Sequence, residues 1–487
     1  MSLWARLLTR WDTGARFAGL AGDGDITEGI TLHVLLAEQG GIDTLDVTLP
    51  PGTTRYPCLT ADVPGAFWYE RKLHDLFGLI PDGHPRLDSL VLPHPDDGEP
   101  LPSPGASFHP SHVEPDERAL HRHVMGTGMF SIPHGPVRSG VFESVEYVVE
   151  SPGEDIPHVN VRPHFKHRGL EVRFEGMHPE QGVLLAERVE GIASVAHALA
   201  FCHAVEELAG AQPPLSAQLV RVLHAELERV ANHLDVALKL ADAAGLAVAV
   251  ARFGRHKECV LRLVSALCGN RFGRGVVVPG GVRALPLLAA GEIRVRLETL
   301  GHAITADAAA LMQTASFLDR LRDTGPLAED FASAWGLLGP VGRASGSTDD
   351  ARWQRPYDAY PKLSRQPDRR YADGDAMARL RVRWDEVAES FDLLRQVLDL
   401  LADTGDDVPR VPVEPGTGQS VGWAEAPQGE VLYLIRTDAA GRLRRCAPRS
   451  ASFHNLAAFS HTFHGDILTD FPFIEASFGL SIAGVVM

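Results

Sequence analysis

Apolar residues recur at helical spacing along residues 179–208, at Leu185, Val189, Ile192, Ala196, Leu199 and Ala200. The spacing predicts one long amphipathic helix with a face to bury. Pro179 suits its first turn, where no amide donor is needed. A second long helix is expected over residues 216–244, with Leu223, Leu227, Val230 and Leu234 as its buried stripe. His224 and Glu228 share one side of it, four residues apart, and read as a surface pair, with a metal site as the second reading. Further helices are expected over residues 250–272, 292–321 and from Asp375 to about residue 401. Strands are expected over residues 31–36 and 44–49, joined by the turn-rich Gln39-Gly40-Gly41, and over 129–132, 141–149 and 159–162. Residues 431–436 and 443–446 read as a hairpin, and residues 67–79 as a short helix leading into an extended, proline-punctuated segment. The pattern is that of an α+β protein: a small N-terminal unit, residues 1–101, then a larger unit, residues 129–487, built on long helices with peripheral strands. Residues 102–128 have the composition of a linker.

The chain of 487 residues is long enough for more than one domain. A net charge of −17 argues against nucleic acid as a main partner, because a phosphate backbone calls for a basic footprint. No apolar run approaches the roughly 18 residues of a membrane span, and Arg6 and Arg10 interrupt any signal-like core, so no secretory signal is expected. The five cysteines, Cys58, Cys202, Cys259, Cys268 and Cys446, form no CxxC pair. They read as reduced, mostly buried small side chains of a cytoplasmic protein, and no metal cluster is expected on this chain. The linker holds His109, His112, His121 and His123. A metal site there is a second reading, but no carboxylate or thiolate partners stand at fixed spacing.

Several motifs run through the chain in one order. The stretch from Phe67 through Glu70-Arg71, Asp75, Phe77-Gly78 and Gly83-His84-Pro85 to Leu92-Pro93 resembles the signature of the 30 kDa subunit of respiratory complex I. Structural roles are expected there for Glu70, Asp75 and His84. Glu187-Arg188-Val189-Glu190-Gly191-Ile192-Ala193 through His197 resembles the ERVCGICxxAH segment of [NiFe]-hydrogenase large subunits. His164-Phe165-Lys166-His167-Arg168-Gly169-Leu170-Glu171 resembles YxHRGxE, and the loop 133–140 resembles the GPxH motif of the complex I 49 kDa subunit. Arg221–Leu234, Pro279-Gly280-Gly281-Val282-Arg283, Gly339–Gly346, Arg355–Tyr360, Gly374–Ser390 and Glu425–Glu430 match further motifs of the same superfamily.

The chain therefore resembles a fused 30 kDa/49 kDa-type subunit of the complex I and group 4 [NiFe]-hydrogenase superfamily, of the hydrogenase-4 and formate hydrogenlyase kind. By that resemblance the four nickel-ligand cysteines fall on Glu190, Ala193, Ser481 and Gly484. Nickel and low-spin iron call for soft thiolates, so no metal is expected here. No long extension follows Gly484, so no peptide for a maturation protease is expected. The resemblance places Arg138, Phe165, His167, Arg168, Glu190 and His197 at a cavity. Arg138 stands where quinone-reducing relatives carry a histidine, and Phe165 where they carry a tyrosine.

The resemblance implies a membrane-associated oxidoreductase complex, with this chain peripheral on the cytoplasmic face of the membrane. An iron–sulfur cluster is expected on a partner small subunit, with antiporter-like and quinone-channel-type subunits in the membrane. Electrons, from NADH or another donor, would pass to a quinone or another acceptor. The alternative is a non-catalytic scaffold or coupling subunit. A chain degenerating towards loss is a third reading. A further expectation is that Glu190 and Arg138 pair at the inner end of the cavity, since a buried carboxylate calls for a partner; two unrelated charges reaching solvent are the other outcome.

Overall fold

The computed structural model describes residues 4–12, 14–92, 126, 128–139, 143–365, 369–404 and 408–487. The linker histidines lie outside the described residues. The N-terminal unit opens with helix α1 (Ala5–Asp12) and an antiparallel sheet of β1 (Arg16–Asp25), β2 (Gly29–Glu38) and β3 (Gly41–Leu49). β2 and β3 are longer than their apolar cores suggest, while β1 carries no strand signal because Gly19, Gly22, Asp23 and Gly24 interrupt it. At Gly22 the absent side chain is needed: a Cβ there would sit 2.9 Å from the Phe77 ring.

Helix α2 (Phe67–Phe77) crosses this sheet, and short parallel strands β4 (Arg55–Pro57) and β5 (Ile80–Asp82) flank it. The expected structural roles of its motif follow. The buried Glu70 carboxylate accepts from the amides of Leu59 and Thr60, and buried Asp75 from those of Leu90, Val91 and Leu92. Each acid ties an irregular segment to the helix by satisfying amides that have no ladder partner. The His84 ring stacks on Phe67.

A second sheet holds β6 (Phe130–His134), β7 (Glu146–Ser151) and β8 (His158–Arg162), all antiparallel. The strand expected over 141–149 starts later: Glu143 is outside it and turns to the chain's C-terminal segment. Helices α3 (Leu170–Phe174), α4 (Pro179–Ala186), α5 (Ser194–Ala209), α6 (Leu215–Ala243) and α7 (Ala247–Cys268) follow. A small hairpin, β9 (Val277–Val278) with β10 (Gly281–Val282), leads to α8 (Ala290–Leu311). The helix expected over 292–321 breaks there, and its tail forms the short α9 (Ala315–Asp319).

Three short helices, α10 (Glu329–Trp335), α11 (Gly339–Ala344) and α12 (Ala351–Gln354), precede the long α13 (Ala376–Asp403). The Asp375 carboxylate caps α13 by accepting from the Ala378 amide. Strands β11 (Gly418–Ala426), β12 (Gly429–Thr437) and β13 (Leu443–Arg449) form a third antiparallel sheet, and α14 (Ala451–Leu456), α15 (Phe471–Phe478) and α16 (Ile482–Val485) close the chain.

One prediction fails in an informative way. Residues 179–208 form two helices, α4 and α5, with a turn at 187–193 between them. The apolar periodicity continues through the turn, but its backbone is claimed from elsewhere. The Arg168 guanidinium donates to the carbonyls of Arg188 and Val189, and the Glu228 carboxyl of α6 accepts from the amides of Val195 and Ala196, the first turn of α5. Those amides would otherwise be orphans of a new helix end. His224 and Glu228 are therefore not a surface pair: His224 is buried, Glu228 is half-buried, and each bonds to backbone rather than to the other.

The helical core is α5, α6, α7, α8 and α13, with α5 lying against β11 and β12. A second core joins the two halves of the chain: Phe17, Leu32, Trp68 and Tyr69 share it with Tyr147, Leu337, Phe453 and Phe478. The first and third sheets also meet, Ala18, Leu35 and Ala37 packing on Val421, Leu432 and Leu434. Arg445 and Arg449 of β13 donate to the β1 carbonyls of Gly22 and Ala18, both at 2.9 Å. Glu171 bonds to both Lys72 and Arg445; burial alone would raise its pKa, and the two cations hold it down to about 2.

At the same junction the Tyr69 hydroxyl meets His454 Nδ1 at 2.8 Å, and His454 Nε2 meets the Trp335 carbonyl at 3.0 Å. Burial, helped by Arg449 and Arg16, pushes this ring down to about 3, so it folds neutral. The stability it contributes is present above the unfolded value of 6.5 and is lost as pH falls from there towards 3. Between pH 7 and pH 5 the wild type should lose about 2 kcal/mol more than His454→Gln, as read from denaturant midpoints at the two pH values. Equal losses would remove His454 as the cause.

Candidate functional site

The site grows from the turn between α4 and α5. Arg168 holds it to the C-terminal segment by donating to Val189 and, at 2.7 Å, to the Ala483 carbonyl. Glu190 then points inward. Its Oε1 lies 3.0 Å from His197 Nε2, and its Oε2 accepts from Ser452 Oγ at 3.2 Å. His197 Nδ1 meets the Tyr433 hydroxyl at 2.8 Å. Glu190, His197 and Tyr433 are all buried. His197 stands at the same inward face because α5 starts at Ser194 and brings it to the turn.

Gly484 lies directly against this carboxylate. A Cβ at Gly484 would fall 2.1 Å from Glu190 Oε2, so the acid occupies space that a side chain at 484 would need. The Ser481 amide donates to Ser452 Oγ at 3.1 Å, and the Ser481 hydroxyl bonds to Glu143 at 3.1 Å. Ala193 is fully buried at the N-cap of α5. Glu190 and Ser481 thus meet at Ser452, and Gly484 lies against Glu190 and Ser450. They do not fit a nickel–iron centre. The carboxylate is committed to His197 and Ser452, the Ser481 hydroxyl to Glu143, and Ala193 and Gly484 offer no donor atom. Among the described residues no group of three or more His, Cys, Asp or Glu is placed to hold a metal.

Beside this cluster is a cavity of about 210 Å³, whose lining includes Arg138, Glu143, Tyr147, Ile192, Glu475 and Ser481. The expected pairing of Arg138 with Glu190 does not occur. Arg138 donates to Glu475 Oε2 of α15 at 2.8 Å, and its guanidinium lies over the Tyr147 ring, 5.4 Å from the centroid. The physical reason is that each charge has a nearer partner: α15 presents Glu475 to the loop after β6, while Glu190 turns into the space above Gly484. Burial, with the Glu475 charge next, raises the Tyr147 phenol well above its usual range.

Phe165 is not part of that cavity lining; it is exposed and packs on the His164 ring at 4.2 Å. His167 sits partly buried beside Lys72 and Glu171, where burial and then Lys72 lower its pKa. Arg168 is a clamp on backbone carbonyls, as described above. The residues that the sequence left unmarked are Glu143, Tyr147, Tyr433, Ser452 and Glu475. Tyr433 and Tyr147 had a local signal, each lying in an apolar stretch expected as a strand; the others depend on partners far along the chain or on loop geometry.

Comparison with known proteins fits this arrangement. The family described as "Respiratory-chain NADH dehydrogenase, 49 Kd subunit" matches residues 244–411 and 407–485, and its 30 Kd counterpart matches residues 22–103. The family "Nickel-dependent hydrogenase" matches residues 168–237, which hold Glu190 and His197. The chain is 31% identical over 350 residues to the carbon monoxide-induced hydrogenase of Rhodospirillum rubrum, covering 72% of this chain and 96% of that one. It is 30% identical to the alpha subunit of the membrane-bound hydrogenase of Pyrococcus furiosus, over 71% of this chain and 84% of the relative. The C/D subunit of the NADH-quinone oxidoreductase of Acinetobacter baylyi is 25% identical over 93% of this chain and 84% of its own. In fold, the chain is similar to a chain of an archaeal membrane-bound sulfane sulfur reductase, with a TM-score of 0.70, 23% identity and cover of 75% of this chain and 100% of the other. The chain belongs to the complex I and [NiFe]-hydrogenase large-subunit superfamily, as a fused 30 kDa/49 kDa-type member.

Proposed function

We propose that this chain is a peripheral subunit of a membrane-associated, complex I-like oxidoreductase complex, and that it works without nickel. It walls a cavity next to an iron–sulfur cluster carried by a partner small subunit, and it passes the effect of electron transfer to membrane subunits. The observation that carries this reading is the Glu190 carboxylate seated over Gly484 and bonded to His197. Where relatives of the hydrogenase type place a thiolate ligand, this chain has a buried acid–histidine–tyrosine series. A buried ionisable pair responds to a charge arriving nearby because the low dielectric screens little.

Arg138 supports a positioning role. Its guanidinium is a donor without an acceptor atom, and it fixes the loop after β6 against Glu475. Phe165 has no hydroxyl and is exposed, so it brings no hydrogen bond to a quinone headgroup. A quinone remains one acceptor that the cavity beside Glu143 and Ser481 would serve. Among the described residues no helix is long and apolar enough to cross a membrane, which suits attachment through partners.

The test is to purify the tagged chain from native membranes in mild detergent. The expected preparation contains a small subunit with a reducible iron–sulfur cluster, no stoichiometric nickel, and no cyanide or carbonyl infrared bands. The cluster's midpoint potential should move in Glu190→Gln. Stoichiometric nickel would overturn the nickel-free reading, and recovery without any partner would overturn the complex. A complex whose cluster is indifferent to Glu190→Gln would leave the scaffold reading in its place.

A further inference from the structure

A separate cavity of about 270 Å³ lies between the turn at 191–195, α6 and α7. We infer that it binds a small uncharged molecule, an apolar body of about ten heavy atoms carrying one hydroxyl, recognised by His224. An engineered cavity of about 150 Å³ takes benzene, so the space here suits a ring with a short substituent. The walls are Ile192, Val195, Leu227, Ala231, Leu261 and Val264.

Its polar lining includes the buried His224 and Asn232 and the half-buried Glu228. His224 is 2% exposed; its Nδ1 lies 2.9 Å from the Val220 carbonyl, its own helix's acceptor, and therefore carries the proton. That tautomer leaves Nε2 as a bare acceptor, and Nε2 has no hydrogen-bond partner. An unpaired buried acceptor is costly unless something fills its place. The two oxygens of Glu228 accept the amides of Val195 and Ala196 at 2.8 and 3.1 Å. Burial, which those amides oppose, pushes its carboxyl up to about 8, so at neutral pH it holds a proton that it can donate to a ligand oxygen. A hydroxyl is the group that can donate to one and accept from the other.

The rim argues against an ion. Lys257 pairs with Asp235 at 2.6 Å, and Arg271 with Glu258 at 2.5 Å, so these charges are already matched. Ile192 lines both this cavity and the one beside Arg138, so an occupant would touch the turn that carries Glu190.

The test uses the full chain and two probes of equal shape, 4-propylphenol and propylbenzene, followed by ligand-observed NMR. The phenol should bind saturably below about 0.3 mM and about tenfold more tightly than the hydrocarbon. Ala231→Phe, which fills the cavity, should abolish binding, and His224→Leu should remove the preference for the phenol. Leu261→Trp is a second filling variant should Ala231→Phe not fold. The inference is overturned by failure of the phenol to saturate, by binding that survives filling, or by equal affinity for the two probes.

Discussion

Glu226→Ala should cost about 3–5 kcal/mol of stability, the range for breaking a buried ion pair by removing one partner. Glu226 is fully buried on α6. Its carboxylate accepts from the Tyr360 and Ser390 hydroxyls, each at 2.6 Å, from Arg352 at 3.2 Å and from Arg229 at 3.3 Å. Arg352 and Arg229 are themselves fully buried. Alanine would leave two guanidiniums with one anion fewer in a region no water reaches. Glu226→Gln keeps the shape and one acceptor oxygen and should cost less, its NH2 facing one of the two hydroxyls that the carboxylate had accepted from. Against a typical total of about 5–15 kcal/mol, the alanine variant should show a large drop in denaturant midpoint and in soluble yield. Burial alone would raise the Glu226 pKa, but Arg352 and Arg229 hold it below the usual value. Its contribution is therefore present above the unfolded pKa of 4.5 and lost in acid, so the difference between wild type and Glu226→Gln should shrink below that pH. A loss within about 1 kcal/mol for Glu226→Ala would show that the network is not needed for stability.

The partners of this network come from separate segments of the chain. The stripe Leu223, Leu227, Val230 and Leu234 places α6 within a residue of each end. The same helix also buries Arg221, Glu226, Arg229 and His233, which an apolar pattern assigns to solvent. They are inside because partners arrive from far along the chain: Asp358 and Glu206 for Arg221, Arg352 for Glu226, Glu386 for His233. Periodicity within one segment carries no record of such partners. The broken helix at 187–193 has the same origin, since Arg168 and Glu228 supply the bonds that stop it. β1 was hidden for another reason: glycines that permit close packing against Phe77 read as a loop. For the site, the motifs pointed to Glu190 and His197, which the structure brings together, while the match of Arg138 to Glu475 rather than Glu190 depended on which acid α15 presents.

Gly484→Ala and Glu190→Ala should be strongly coupled. The backbone at Gly484 is not in the left-handed region, so alanine is hindered by space alone. Its Cβ would stand 2.1 Å from Glu190 Oε2 and 2.8 Å from the carboxyl carbon. The carboxylate would have to leave His197 or Ser452, and overpacking of this kind costs about 1–3 kcal/mol. Glu190→Ala acts differently: it strands His197 Nε2 and Ser452 Oγ and opens a void, for about 2–4 kcal/mol. In the double variant the methyl at 484 enters space the acid has left. Its total cost should fall short of the sum of the single variants by about 1–2 kcal/mol, the scale of coupling between residues in contact. Denaturation of the four proteins under one condition measures it. Additivity within about 0.5 kcal/mol would mean that the two positions do not touch. Coupling of the expected sign would make the acid at 190 and the bare backbone at 484 a single spatial change. The chain would then have filled the place of a metal ligand with a buried carboxylate, and the absence of a side chain at 484 would be what admits it.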